Sequence, residues 1–267
     1  HSAFLRPYYS STSMQSLRAR LTTLVNALSE AQPDNADAQL VIRNIERWSD
    51  GLYQTEKELL LEAVKAKSNF SFDMINWITG VTEILLAVSN SPACDHHSQQ
   101  KLLSHARWLI ATLSWIPDDE ESVTFVENSQ MTEELFIAAN NAHNRGYDDI
   151  SKEIGEILLS WVFNGGRYQA GWDTLVRGLS GLAAFALMSG DDGVSWLKTA
   201  VIAQLTREAA PEQKICDRAA RDILERANSL HRSRHRWSRI DTAIVGADHQ
   251  KLRPLMEEIA GLLSPAT

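Results

Sequence analysis

The sequence predicts an all-α protein: ten to twelve helices in a compact multi-helix array or, alternatively, an irregular α-solenoid of helical hairpins. Three observations predict it. Turn-forming residues are scarce, with 13 Gly and 7 Pro in 267 residues, where an average chain spends roughly 12% on the two. Apolar side chains recur at helical spacing along most of the chain. No stretch combines strict alternation with the β-branched runs a strand needs.

Each element follows from its own signals. Residues 1–12 read as an extended arm and 13–267 as one helical domain. Ser13 caps a first helix that carries Met14, Leu17, Leu21, Leu24, Val25 and Leu28 at helical spacing and that Pro33 ends. A second helix starts at Asp37, lines up Val41, Ile45 and Trp48, and stops at Asp50-Gly51. A third covers Thr55–Lys67, with Thr55 and Glu58 as a capping-box pair. A fourth, Asp73–Ser89, carries Met74, Ile78, Val81, Leu85 and Val88 on a wide stripe and is followed by Pro92. The fifth runs from His97 to Ile116 and ends at Pro117.

Shorter helices are expected over 119–127 and over 131–144, where Gly146 marks the end. Another fills 148–163, with Asn164-Gly165-Gly166 as a stop signal. The last four fall at 172–189, 193–209, 211–231 and 250–263, with Pro211 suited to a first helical turn. The helix 172–189 is apolar on one side and carries Gly178, Gly181 and Ala184 on the other. Two glycines in one helix cost roughly 1 kcal/mol each against alanine, so close approach of a neighbouring helix is their expected purpose.

Eight tryptophans, at 48, 77, 108, 115, 161, 172, 196 and 237, share no period, which excludes the tetratricopeptide, ankyrin and leucine-rich repeat templates. The charge of −8 argues against general nucleic-acid binding, which favours a basic excess. Cys94 and Cys216 are too far apart for a CxxC metal motif and read as free thiols of a reducing compartment. Cys216 sits in the apolar face of its helix and reads as a buried, inert thiol. No apolar run reaches the ~18 residues of a membrane span. The chain opens with His1-Ser2 and no Met, then Phe4, Leu5, Arg6, Tyr8 and Tyr9. That mixture suits the water interface beside a membrane helix. A cytoplasmic location is therefore expected, with membrane association through a missing N-terminal segment as the variant reading.

Two surfaces stand out. On the fifth helix, Trp108 and Trp115 are seven residues apart and project opposite the Leu102, Leu103, Ala106, Leu109, Ile110 and Leu113 side. Either this helix is sandwiched between two layers or the tryptophans form a protein interface. The second surface is the acid-free run His231 to Arg239, whose Arg232, Arg234, Arg236 and Arg239 flank Trp237. Those arginines suit an acidic partner, an anionic lipid surface or RNA, or pair with the chain's own acids, including those in 118–134. The helix before them is amphipathic: Cys216, Ala219, Ala220, Ile223 and Ala227 face inward, and Asp222 and Arg226 form an i,i+4 pair.

The search for chemistry returns little. Asp118, Asp119, Glu120 and Glu121 complement a helix dipole but lack the calcium-loop pattern. His231 and His235 have a metal-like spacing, without the glutamate of HExxH and among arginines. In Cys94-Asp95-His96-His97 the aspartate reads as a helix cap. No metal site and no cofactor is assigned, and no GxSxG, kinase, dinucleotide or phosphate-loop motif occurs. These readings converge on a non-catalytic protein-interaction or regulatory domain with a protein partner, a candidate for the cytosolic part of a larger protein. The alternative is a helical enzyme or ligand-binding protein whose pocket is assembled from scattered residues.

Overall fold

The computed structural model describes residues 22–65, 72–114, 131–168, 171–230 and 239–265. Among these residues the protein is all-α, with eleven helices and no strand. They are α1 (22–30), α2 (Ala36–Lys65), α3 (Phe72–Ser89), α4 (His96–Leu113), α5 (Met131–Asn144), α6 (Asp148–Gly166), α7 (Gly171–Met188), α8 (Gly190–Leu205), α9 (Gln213–Asn228), α10 (Arg239–Gly246) and α11 (His249–Leu263). Two compact units emerge, one from His1–Pro117 with Asn141–Ser151, the other from Asp118–Asn140 with Lys152–Thr267. Each is a multi-helix array.

In the first unit α4 packs against both α2 and α3. Its Leu102, Ala106, Leu109 and Leu113 are buried, and so are Ser98 and His105 on the side that meets α2. Asp95 caps α4 by accepting from the Ser98 N–H at 2.8 Å. That bond lowers the Asp95 pKa.

Here one expectation fails. The helices expected to break at Asp50-Gly51 are a single 30-residue α2. Thr55 caps nothing; its hydroxyl donates to the Gly51 carbonyl at 2.7 Å, inside the helix. A lone exposed glycine costs only ~1 kcal/mol, and the inward-facing Ser49 and Leu52 keep the helix packed across it.

The second unit is organised around α7, which packs against α8, α9, α10 and α11. Leu175, Leu179, Leu182, Ala183 and Phe185 are buried. A β-carbon at Gly178 would collide with the Val162 side chain of α6, and one at Gly181 would lie 2.6 Å from Ile240 of α10. The small residues therefore serve close packing. Helix α10 was absent from the sequence reading. Other boundaries also moved: α6 continues to Gly166, against which Leu175 packs, α8 runs over Gly190–Leu205 instead of 193–209, and α9 starts two residues after Pro211. The Arg226 guanidinium reaches Asp241 of α10 at 3.4 Å. None of the helices of the described residues is long and apolar enough to cross a membrane.

Candidate functional site

A concave feature of the second unit lies between α6 and α8, a groove of about 700 Å³, within the size range of ligand sites. Its position is set by a tight corner. Gly190 turns the chain with φ of 64°, and a β-carbon at Gly193 would run into the Ala186 carbonyl, so α8 starts hard against the end of α7. One face of α8 then supplies Asp192, Ser195, Trp196, Thr199, Ala200 and Ala203, and α6 supplies Lys152, Glu156 and Leu159.

Trp196 is held from three directions. Gly155 leaves the space its ring occupies, since a β-carbon there would come within 2.7 Å of the indole. Phe185 meets it edge-on with centroids 6.2 Å apart, and Phe136 meets Phe185 in turn at 6.4 Å. The indole N–H donates to Glu156 Oε1 at 3.2 Å. An aromatic chain thus runs from the core to a half-exposed indole in the groove wall. Small side chains at 195, 199, 200 and 203 leave room for a second backbone to approach.

The first unit contains a cluster that looks like chemistry. Ser49 Oγ and His105 Nδ1 share a hydrogen bond of 2.8 Å, and Asp50 Oδ1 lies 3.6 Å from His105 Nε2. Serine, histidine and aspartate in line are the parts of a nucleophile–base–orienter set. Burial decides against that use: Ser49 is 1% exposed and sits mid-helix, its oxygen also within 2.9 Å of the Glu46 carbonyl. The cluster holds α2 to α4. Burial pushes the His105 pKa below its usual 6.5, more than the nearby Asp50 raises it. Tyr53 stacks on the imidazole at 5.5 Å.

Of the residues singled out in the sequence, Trp108 is half-buried on α4, its ring edge-on to Tyr53 at 5.2 Å. Trp115 lies outside the described residues. Arg232, Arg234 and Arg236 also lie outside them, and Arg239 is the first residue of α10. His231 and His235 fall in the same gap.

The Cys94 thiol is pushed up to about 11 by burial and by Asp95 and Glu46, which keeps it protonated and a poor metal ligand or nucleophile. Cys216 is 1% exposed, and burial raises it too. Among the described residues no cluster of His, Cys, Asp and Glu could hold a metal ion.

Sequence reasoning missed both the groove and the buried cluster. Each is built from residues far apart in the chain, 56 positions for Ser49 and His105 and 40 for Glu156 and Trp196. Compared with known proteins, the chain matches no family model, no curated protein and no solved structure.

Proposed function

We propose that this chain is a non-catalytic, all-α protein-interaction or regulatory domain whose α6–α8 groove receives a helical or extended segment of a protein partner. The groove itself carries the reading: an open trough with a fixed tryptophan in its wall and small side chains along one helix. Helix-in-groove recognition uses these features, an apolar anchor point and a surface a backbone can approach closely. The exposed Ile202, at the next position to Ala203, adds apolar surface at its edge.

A photo-crosslinking residue at Ala203, compared with one at Glu257 of α11, tests the reading in cells. A discrete adduct formed at 203, absent at 257 and lost when Ala200→Arg fills the groove, is the expected result. The same products at both positions, or none at either, would overturn it.

Arg232, Arg234, Arg236 and Arg239 are proposed as a second contact, for an acidic protein surface or an anionic lipid, and Trp108 with Trp115 as a third. Replacement of the four arginines by Ser is expected to weaken such binding and its salt dependence. The competing reading is a small-ligand site or helical enzyme, favoured by the groove's volume and by Glu156 and Asp192 beside Trp196. A saturable thermal shift with one metal, nucleotide or isoprenoid diphosphate would select it.

A further inference from the structure

We infer that the segment received by the α6–α8 groove is basic, and that it sets a lysine or arginine side chain beside Trp196, within reach of the carboxylates of Glu156 and Asp192. The inference rests on the reading of the groove as a partner site and adds the chemistry of the partner. It starts from the surroundings of the indole. Glu156, exposed on α6, accepts the indole N–H through Oε1 at 3.2 Å, so Oε2 can accept from a second donor. Asp192 is exposed and stands four residues before Trp196 on α8, the spacing that puts two side chains on one helix face. All three line the groove. The indole therefore has one carboxylate at its N–H and another a helical turn away.

That set matches a cationic side chain in each of its parts. Indole is the aromatic surface that attracts a lysine or arginine cation best, and an N–H held by a carboxylate polarises the ring in the favourable sense. The aliphatic stem of either residue covers apolar surface while its charged head meets an anion. Leu159, Ala200 and Ala203 supply that surface along the groove. An acidic segment would bring its carboxylates against Glu156 and Asp192, and a neutral one would leave both without a partner.

The charges of the two helices agree in sign. Residues 152–160 and 190–205 carry Glu153, Glu156, Asp191 and Asp192 against Lys152 and Lys198. Lys198 is taken by Glu258 at 2.9 Å. Lys152 lines the groove one turn before Glu156, yet neither Glu156 nor Asp192 has an ion pair among the described residues. The N-terminus of α8 adds about half a positive charge, against the carboxylates of Asp191 and Asp192 in its first turn. Arg207 lies past the end of α8, ~16 Å along the chain direction from Trp196, with its guanidinium on Gln204 at 2.6 Å. The acidic excess is local to the Trp196 end of the groove.

The test uses the full chain and three fluorescein-labelled peptides with Leu at helical spacing and Lys, Gln or Glu between, followed by fluorescence polarisation across a salt series. Circular dichroism reports folding of each variant. The Lys peptide is expected to bind, more weakly as salt rises, and the Glu peptide to be rejected. Glu156→Gln/Asp192→Asn removes both charges and keeps an acceptor for the indole N–H. It should lower affinity for the Lys peptide about tenfold and flatten the salt dependence. Trp196→Leu should lower that affinity too, and Ala200→Phe, which fills the groove without changing its charge, should lower it most. Gln or Glu peptides that bind as tightly as the Lys peptide, with a loss in Ala200→Phe and none in the charge-neutral double variant, would overturn the basic partner and leave the groove as a partner site. Binding of the Lys peptide that Ala200→Phe leaves unchanged would overturn both readings. Absence of binding by all three at millimolar peptide would also overturn the basic partner, and the crosslink at Ala203 then decides whether the groove holds a partner at all.

Discussion

The contact of α4 with α2 and the surroundings of α7 solve the same problem, burying a helix on more than one side, with opposite chemistry. Helix α4 meets α2 through polar groups: His105 with Ser49 and Asp50, Ser98 with Glu46, and Lys101 outside them. Helix α7 meets its neighbours through shape, with Gly178 against Val162, Gly181 against Ile240, and Leu175, Leu179 and Phe185 filling the space between. The polar contact fixes register, because each donor has one place to go. It leaves stability tied to protonation. The apolar one tolerates any pH but no change of volume.

The largest effect is expected where shape alone holds the packing. Phe185 is 2% exposed and links Phe136 to Trp196. Phe185→Ala should cost about 3–5 kcal/mol, the usual loss for a buried aromatic with its cavity. Denaturant unfolding would measure it, with no dependence of the loss on pH between 5 and 8. A loss below ~1 kcal/mol would mean that α7 is not the centre of its unit.

The polar contact should respond less and differently. Ser49→Ala leaves His105 Nδ1 without its partner in a buried site, at about 1–3 kcal/mol. Its pH dependence carries the sharper information. His105 is held neutral in the fold, its pKa pushed below 6.5 by burial. As pH falls through 6.5 the unfolded chain takes up a proton that the folded chain resists, so His105's contribution is full above 6.5 and lost below it. Stability measured from pH 8 down to 5 should therefore decline more steeply in the unaltered chain than in His105→Gln. Parallel curves would show that Asp50, which opposes the burial effect, cancels it.

How far the sequence led depended on whether a feature was local. Helical spacing located α3, α4, α7 and α11 with ends within a few residues, and the glycines of α7 were read as packing devices because a helix interior otherwise disfavours them. Asp95 was legible as a cap. Gly51 misled because the penalty of one glycine is smaller than the packing of the 30-residue helix around it. Helix α10 is eight residues long and follows the arginine-rich run, too short for periodicity to stand out. The functional geometry was out of reach for a different reason. Ser49 and His105 are 56 positions apart, and Glu156 and Trp196 are 40 apart. Nothing in their spacing says which helices meet, or in what register.

The finest test of the shape-based packing is a single methyl group placed at two glycines. Gly178 and Gly261 both lie inside helices, α7 and α11, yet a β-carbon at Gly178 runs into Val162 while one at Gly261 meets nothing within 4 Å. Alanine brings the same gain in helix propensity to both, about 0.5–1 kcal/mol. At Gly261 that gain should appear undiminished as added stability. At Gly178 the overpacking penalty of about 1–3 kcal/mol opposes it and should leave a net loss. Because propensity is common to both, the difference between the two melting shifts isolates the steric contribution of the α7–α6 approach. Equal shifts would mean that Val162 swings aside without cost, and that α7 needs its glycines for something other than closeness.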